Sequence, residues 1–155
     1  MDRIMTDRPA AHGALLLCLS LLFAAACGVG QKRSGLPPEA LETIESMTGD
    51  MARGDYEKIY AGAAEEWRQT ARADESRANL ERVRNALGGV LSRAQLSAQE
   101  RDASGAGAPQ AGRSLIVAYN TKFERADAIE TFTLVERQGR WLLARYAVNS
   151  NALKQ

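Results

Sequence analysis

The sequence contains few of the residues that most enzymes use for nucleophilic catalysis or metal binding. It has one histidine and two cysteines, and all three, His12, Cys18 and Cys27, lie in the first 27 positions. Zinc and copper sites draw on these residue types, and Ser-His and Cys-His nucleophiles require a histidine. Beyond Cys27 the sequence therefore predicts no metal site and no cofactor, and leaves carboxylate, Tyr, Lys and Arg side chains for any chemistry.

An excess of charge of one sign is also missing. Twenty Lys and Arg residues oppose nineteen Asp and Glu residues, which gives a formal net charge of +1. The basic residues are scattered among acidic ones, whereas nucleic-acid binding selects a one-sided basic patch. Nucleic acid is therefore not an expected partner. A length of 155 residues favours a single folded domain.

The N-terminal region is typical of an export signal. Residues 14–26 carry no charge and are rich in Leu and Ala. A helix of this length spans roughly 20 Å, which is short of the ~30 Å hydrocarbon core of a membrane. The pattern therefore predicts a signal peptide over residues 1–26 rather than a permanent transmembrane helix.

The segment that closes this run, Ala24-Ala25-Ala26-Cys27, resembles a bacterial lipobox. The resemblance implies that Cys27 receives acyl chains such as palmitate, becomes the new N-terminus and anchors the protein to a membrane. Residues 27–38 would then form a flexible tether before a domain over 39–155. Ala24 stands where Leu is more usual, so ordinary signal-peptidase cleavage near Ala26 is the alternative. Gly28 resembles the enterobacterial outer-membrane sorting pattern, which favours a periplasm-facing outer-membrane location over the inner membrane.

Three helices are predicted at the start of the domain. Apolar residues at three- and four-residue steps favour a first helix that opens at Pro37-Pro38-Glu39 and runs to Arg53-Gly54, where Gly54 ends it. Asp55 is expected to cap a second helix that runs through Trp67, and Asp74 a third that stops at Gly88-Gly89. The apolar stripes of these helices are expected to face the core.

The second half changes to the patterning of β-strands. A weakly patterned run predicts a strand at 90–100, and three runs rich in β-branched and aromatic residues predict strands at 114–124, 128–136 and 140–150. Short turns at 125–127 and 138–139 require antiparallel pairing, while the small-residue run 102–112 predicts a surface loop. The expected fold class is α+β, with N-terminal helices on one face of a curved antiparallel sheet.

An ordered series of residues in this half resembles an uncharacterised family of short bacterial exported proteins, over about residues 51–148. The family is thought to belong to the nuclear-transport-factor-two-like, or cystatin-like, superfamily, which implies a cone of helices and curved sheet with a pocket at its open end. Arg145 departs from the family pattern, which has a small residue there. The residues that carry the resemblance are Leu87-Gly88, Ser92-Arg93, Tyr119, Thr121, Phe123, Glu130, Thr133-Leu134, Gly139, Trp141 and Tyr146.

Glu130 is the acidic residue that strand alternation places on the apolar face of the sheet. A two-residue turn at Ala126-Asp127 would set Glu130 opposite Phe123. A two-residue turn at Gln138-Gly139 would set Arg145 opposite Phe132, diagonal to Glu130. A three-residue loop with a bulge would instead set Tyr146 opposite Glu130. Either Arg145 or Tyr146 is therefore expected to donate a hydrogen bond to the Glu130 carboxylate.

This inward carboxylate has two interpretations. The first is a structural hydrogen-bonded pair of Glu130 with Arg145 or Tyr146. The second is a functional pocket, in which Glu130 acts as a general base with Tyr119 or Tyr146, or binds a small polar or anionic ligand together with Arg145. An ion pair with Arg145 argues against catalysis because it stabilises the charged carboxylate.

Three functional classes follow. The first is a non-catalytic lipid-anchored envelope protein that binds a small ligand or another envelope protein. The second is a small acid–base enzyme of the isomerase or hydrolase kind that uses Glu130 and a tyrosine. The third is a structural or secretion-assembly role through an exposed sheet. The sequence identifies no substrate and no reaction.

Overall fold

The computed structural model describes residues 35–103 and 112–154. The predicted signal peptide with His12 and Cys18, the lipidation site Cys27, residues 27–34 of the tether and residues 104–111 of the predicted loop lie outside this range. Leu36, in the last part of the predicted tether, packs against the main hydrophobic core. No helix in the described ranges is both long enough and apolar enough to span a membrane.

Four α-helices precede the sheet, where three were predicted: α1 Pro38–Arg53, α2 Tyr56–Gly62, α3 Glu65–Thr70 and α4 Ala73–Leu87. The first ends as predicted, since Gly54 adopts the left-handed conformation with φ of 78° and its N–H bonds back to carbonyl groups of the last turn. Gly88 likewise ends α4 with φ of 80°.

The prediction of a continuous second helix was wrong. The backbone of Ala63 and Ala64 is extended, which separates α2 from α3. The Ala64 N–H donates to the carbonyl oxygen of Leu143 at 2.9 Å instead of to a preceding turn of helix. This tertiary bond attaches the α2–α3 junction to the last strand, and it competes with the helical pattern that runs through Trp67.

The two predicted aspartate caps also differ from the structure. Asp55 occupies the N-cap position of α2, but its carboxylate accepts from Arg53 Nε at 3.0 Å and makes no cap bond. Asp74 lies inside the first turn of α4, and Arg72 is the N-cap residue. There the Glu75 carboxylate accepts the Arg72 backbone N–H at 3.0 Å, which satisfies one donor at the helix start.

The sheet is a four-stranded antiparallel meander in the order β1-β2-β3-β4, as predicted. Its strands are β1 Val90–Ala103, β2 Gly112–Phe123, β3 Asp127–Arg137 and β4 Arg140–Asn149, followed by a 3₁₀ turn at Asn151–Leu153. Asp102, Ala103 and Gly112, which the sequence placed in a loop, belong to β1 and β2. The helices pack on one face of this curved sheet, and the α+β prediction is confirmed.

The core lies between the helices and the inward face of β2, β3 and β4. Alternation along β2 buries Leu115, Val117 and Tyr119, and the same alternation along β3 buries Phe132 and Leu134. The helices contribute a second set of buried side chains, namely Ala40, Ile44, Met47, Met51, Ile59, Ala63, Trp67 and Leu80. This confirms the expectation that the apolar helix stripes face the core.

The predicted register of the β2–β3 hairpin was wrong by four residues. Tyr119, not Phe123, lies opposite Glu130, and the last pair before the loop is Lys122 with Asp127. The loop is held at the end of α4, because the Glu124 N–H donates to the Gly89 carbonyl at 2.8 Å and the Arg125 N–H to that of Leu87 at 3.0 Å. These bonds withdraw loop residues from the ladder. A shift of four is even, so the predicted inward face is preserved.

Strand β4 contains a bulge that changes which residues face inward. Thr133 pairs with Arg145 whereas Leu134 pairs with Leu143, which leaves Ala144 without a partner. Trp141 and Leu143 are buried before the bulge, and Tyr146 lies opposite Phe132 after it. The two-residue turn at Gln138-Gly139 is confirmed by the Arg137–Arg140 pair. Both predicted positions for Arg145 and Tyr146 were wrong, since neither allowed for a bulge within the strand.

Strand β1 forms one edge of the sheet and carries two further irregularities. Its pairing with β2 shifts between Val90 and Ser92 and again between Gln95 and Ser97. The residues left out of the ladder, Leu91 and Leu96, have 68% and 56% of their surface exposed. Bulges of this kind twist an edge strand and interrupt its free hydrogen-bonding edge.

Candidate functional site

Glu130 is completely buried and its carboxylate accepts four hydrogen bonds. Arg93 donates from Nε to Oε2 at 2.5 Å and from Nη2 to Oε1 at 3.1 Å. Thr121 Oγ1 donates to Oε2 at 2.5 Å, and the Tyr146 hydroxyl donates to Oε1 at 2.6 Å. Each oxygen thus accepts two bonds, which accounts for the four acceptor positions of a carboxylate.

Strand pairing explains how these side chains meet. Arg93 on β1 lies opposite Thr121 on β2, so both occupy the inward face. Glu130 projects from β3 on the same face, where it contacts Thr121 on the neighbouring strand and Arg93 across β2. Tyr146 reaches Glu130 diagonally from β4, because the bulge at Ala144 turns Tyr146 inward. We call Arg93, Thr121, Glu130 and Tyr146 the Glu130 cluster.

Aromatic rings pack against the apolar side of the Glu130 cluster. Phe132 is fully buried and meets the Tyr146 ring at a centroid distance of 5.1 Å. It also makes an edge-to-face contact with Tyr119, with centroids 5.8 Å apart. A buried charge in such surroundings is stable only when it is paired and hydrogen-bonded. The arginine and the two hydroxyl groups supply those partners.

The two tyrosines of the site are held in their protonated form. Burial is the main factor that raises the pKa of Tyr146 far above its ordinary value, and the adjacent Glu130 carboxylate raises it further. Burial likewise raises the pKa of Tyr119, while the Arg93 charge opposes that shift. Neither phenol ionises near neutral pH, so Tyr146 serves as a hydrogen-bond donor to Glu130.

The structure therefore brings some of the site residues predicted from the sequence into contact and places others apart. Glu130 and Tyr146 are bonded to each other, and Tyr119 lies opposite Glu130 on the neighbouring strand. Arg145 makes no contact with Glu130 and lines a different surface. The sequence analysis missed Arg93 and Thr121 as partners, although both occur in the residue series that carried the family resemblance.

Two cavities lie on either side of the Glu130 cluster. The first, of about 720 Å³, is lined by Arg93 and Thr121 together with residues at the end of the sheet such as Ser92, Lys122 and Asn149. The second is a groove of about 1000 Å³ between α3, α4 and β4. Tyr146 lines this second cavity, which we call the α4–β4 groove. Glu130 itself lines neither cavity.

The α4–β4 groove contains three cationic side chains, Arg82, Arg145 and Lys154. The acidic residue that lines it, Glu66, is ion-paired with Arg137. Its apolar wall is formed by side chains from the helices and the sheet, namely Trp67, Leu80, Val83, Val135, Val148 and Leu153. The groove therefore combines positive charge with an apolar surface.

A second buried acid lies away from this region. Asp50, near the end of α1, is 4% exposed and accepts from Lys58 Nζ at 2.9 Å and from Arg53. Burial alone would raise the pKa of Asp50, but the hydrogen bonds and charges of Lys58 and Arg53 outweigh it and lower that pKa. Within residues 35–103 and 112–154 no cluster of three or more Asp, Glu, His or Cys side chains is suited to hold a metal ion.

The fold and the site together define an α+β domain whose inward carboxylate is closed by an arginine, a threonine and a tyrosine. Residues 45–146 match the family of proteins of unknown function designated DUF4019. Since the match covers more than half of the chain, the protein belongs to this family. No curated protein matches the chain.

Proposed function

We propose that this member of a family of unknown function is a non-catalytic ligand-binding domain, held at the bacterial cell envelope by a lipid on Cys27. One observation carries the non-catalytic part of the proposal. The carboxylate of Glu130 is 0% exposed and both of its oxygens are already bonded to Arg93, Thr121 or Tyr146.

This closure opposes acid–base chemistry at Glu130. A general base must reach a substrate proton within hydrogen-bond distance, and its lone pair must be free to accept it. The Arg93 guanidinium stabilises the charged carboxylate, and the raised pKa values of Tyr119 and Tyr146 disfavour either phenol as a base. The enzyme alternative with Glu130, Tyr119 and Tyr146 therefore has no observation in its favour.

The α4–β4 groove is the surface we assign to ligand binding. Binding sites for small molecules are typically concave, largely apolar and supplied with a few polar groups. The groove meets this description, and it contains Arg145, one of the two residues predicted to bind a ligand. Glu130, the other residue, then supports the sheet behind the groove through Tyr146.

The envelope location rests on the sequence. The uncharged run 14–26 and the lipobox-like segment before Cys27 support export and lipidation, and Gly28 supports an outer-membrane location facing the periplasm. Placement in the nuclear-transport-factor-two-like superfamily is part of the same proposal. It is supported by helices that pack on one face of a curved four-stranded sheet.

Intact-mass analysis of the protein from the membrane fraction tests the anchor. We expect a chain that begins at Cys27 and carries two or three acyl chains. The Cys27→Ser variant should lack the added mass, whereas Cys18→Ser should retain it because Cys18 lies inside the removed signal. A wild-type chain that begins at Met1, or one that carries no fatty acid, would refute lipid anchoring.

A further inference from the structure

We infer that the α4–β4 groove binds a small amphiphilic anion, a single acidic group attached to an alkyl chain. This inference rests on the proposed function and names the ligand class for that same groove. Three independent features of the groove point to it: its volume, its unbalanced charge and its apolar wall.

The volume and shape suit a compact organic molecule. The groove has a volume of about 1000 Å³ between α3, α4 and β4 and is partly open to solvent. That is at the upper end of the range typical of sites for small ligands. The 3₁₀ turn contributes Leu153 at one end, and α3 contributes Trp67. A molecule with an extended apolar body can contact both.

The charge of the groove selects an anion. Neither the Arg82 side chain nor the Arg145 side chain forms an ion pair or hydrogen bond with any residue in the described part of the chain. Among residues 35–103 and 112–154, the Lys154 ammonium donates to the neutral side-chain oxygen of Asn151 at 3.0 Å and has no acidic partner. Glu66 is neutralised by Arg137. A ligand carboxylate would supply the missing countercharge through charge-assisted hydrogen bonds.

The apolar wall excludes a bare inorganic anion as the best ligand. Leu80, Val83, Val135 and Val148 line the same groove as the two arginines. Filling this wall with an alkyl chain removes apolar surface from water, which is favourable in proportion to the area buried. An anion without such a chain leaves the wall hydrated. A cation with the same chain is repelled by the arginines.

Calorimetric titration of the full chain tests the inference. The lipidated protein is held in phosphatidylcholine nanodiscs, empty nanodiscs are subtracted, and the probe is sodium octanoate. We expect one octanoate per chain, bound at least 10-fold more tightly than octan-1-ol or octyltrimethylammonium. Raising the salt concentration should weaken octanoate binding and leave that of octan-1-ol unchanged, because salt screens charge.

Charge-neutralising variants locate the site. The double variant Arg82→Gln with Arg145→Gln should lose at least 10-fold in octanoate affinity. Arg140→Gln, at the β3–β4 turn and outside the groove, is the matched control and should change affinity less than twofold. All three substitutions remove exposed arginines, so melting curves should confirm intact folding.

Two results would overturn the inference: octanoate that binds no better than octan-1-ol, or a double variant that binds octanoate as well as the wild type does. Either result leaves the lipid anchor intact, since intact-mass analysis measures that part of the proposed function separately. Conversely, a Cys27 without fatty acid would refute the anchor, and octanoate binding would then be measured on the same chain without nanodiscs.

Discussion

Arg93 on β1 and Glu130 on β3 form a bidentate ion pair across the intervening strand β2. The carboxylate is 0% exposed and the arginine side chain 23% exposed, so one partner is fully removed from water and the other is partly buried. Removal of one partner lowers the free energy of unfolding by more than the intact pair contributes to it, because the remaining buried charge is left without a countercharge.

Glu130→Gln should therefore lower the free energy of unfolding by about 2 kcal/mol at neutral pH, because hydrogen bonds to charged groups contribute ~1.5–3 kcal/mol. Urea unfolding measures this difference. Glu81→Gln, which breaks the exposed pair with Arg77, is the control and should cost less than ~1 kcal/mol. Equal losses in the two variants would show that the Glu130 cluster contributes no more than a surface pair.

The same substitution separates the structural from the functional interpretation of Glu130. Glu130 does not line the α4–β4 groove. Folded Glu130→Gln protein should therefore bind octanoate with an affinity within about twofold of the wild-type value, which is well below the ~1.4 kcal/mol of binding free energy that corresponds to a tenfold change. Loss of binding with retained folding would instead return Glu130 to the list of ligand-binding residues.

Alkaline pH should destabilise the protein through Tyr146. Its pKa in the folded state is raised above the unfolded value of 10.0, mainly by burial. The folded chain then holds a proton that the unfolded chain releases, so stability is complete below pH 10 and falls as the pH rises above it. The loss approaches about 1.4 kcal/mol per pH unit for each such group. Urea unfolding between pH 9 and 11 should show a shallower decline for Tyr146→Phe than for the wild type; parallel curves would contradict the prediction.

Acidic pH should destabilise the protein through protonation of Asp50. Its pKa is lowered in the folded state, where the bonds from Lys58 and Arg53 outweigh burial. The stabilisation is present above the unfolded value of 3.8 and is lost as the pH falls below it. We expect a contribution of about 1 kcal/mol, because both cations are more than half exposed.

Unfolding curves at pH 7 and pH 3 test this assignment. Lys58→Gln should reduce the difference in stability between the two pH values. Lys122→Gln, which removes an exposed lysine outside the ion pairs described, should leave that difference unchanged. The same response to both substitutions would mean that overall charge, rather than the contact with Asp50, governs stability in acid.

Gly88 joins α4 to β1 in a backbone conformation that is strained for residues with a side chain. Its φ is 80°, and an added Cβ would lie 2.5 Å from Glu124 Oε2 and 2.9 Å from Glu124 Cβ. Gly88→Ala should therefore cost about 2–3 kcal/mol in thermal or urea unfolding. Gly62→Ala, where a Cβ meets nothing within 4 Å, is the control and should be neutral or slightly stabilising. Comparable losses in both variants would contradict this assignment.

The sequence predicted the layers of the fold more accurately than the contacts within them. Periodicity of three to four residues located the helical half, and alternation of period two located the strands and their inward face. The alternation also placed Glu130 inside the sheet. These features depend on local patterning, which each segment carries by itself.

The partners of Glu130 depended on registers that patterning does not determine. The β2–β3 loop is fixed by bonds to the end of α4, which bring together residues far apart in the sequence. Arg93 reaches Glu130 only because of how β1 pairs with β2, and two bulges shift that pairing. The weak alternation of β1 concealed both bulges, so an arginine on its inward face could not be assigned a partner.

The unpaired residue Ala144 has a consequence beyond the geometry of β4. If Ala144 were paired with Thr133 instead of bulging out, every later residue of β4 would change face, so that the guanidinium of Arg145 would point at the buried acid and the phenol of Tyr146 toward solvent. Deletion of Ala144 should instead restore a regular ladder and keep both side chains on their present faces, because Arg145 would still pair with Thr133 and Tyr146 with Phe132. One unpaired residue, rather than the identity of any side chain, thus decides whether the acid meets a neutral donor or a second positive charge.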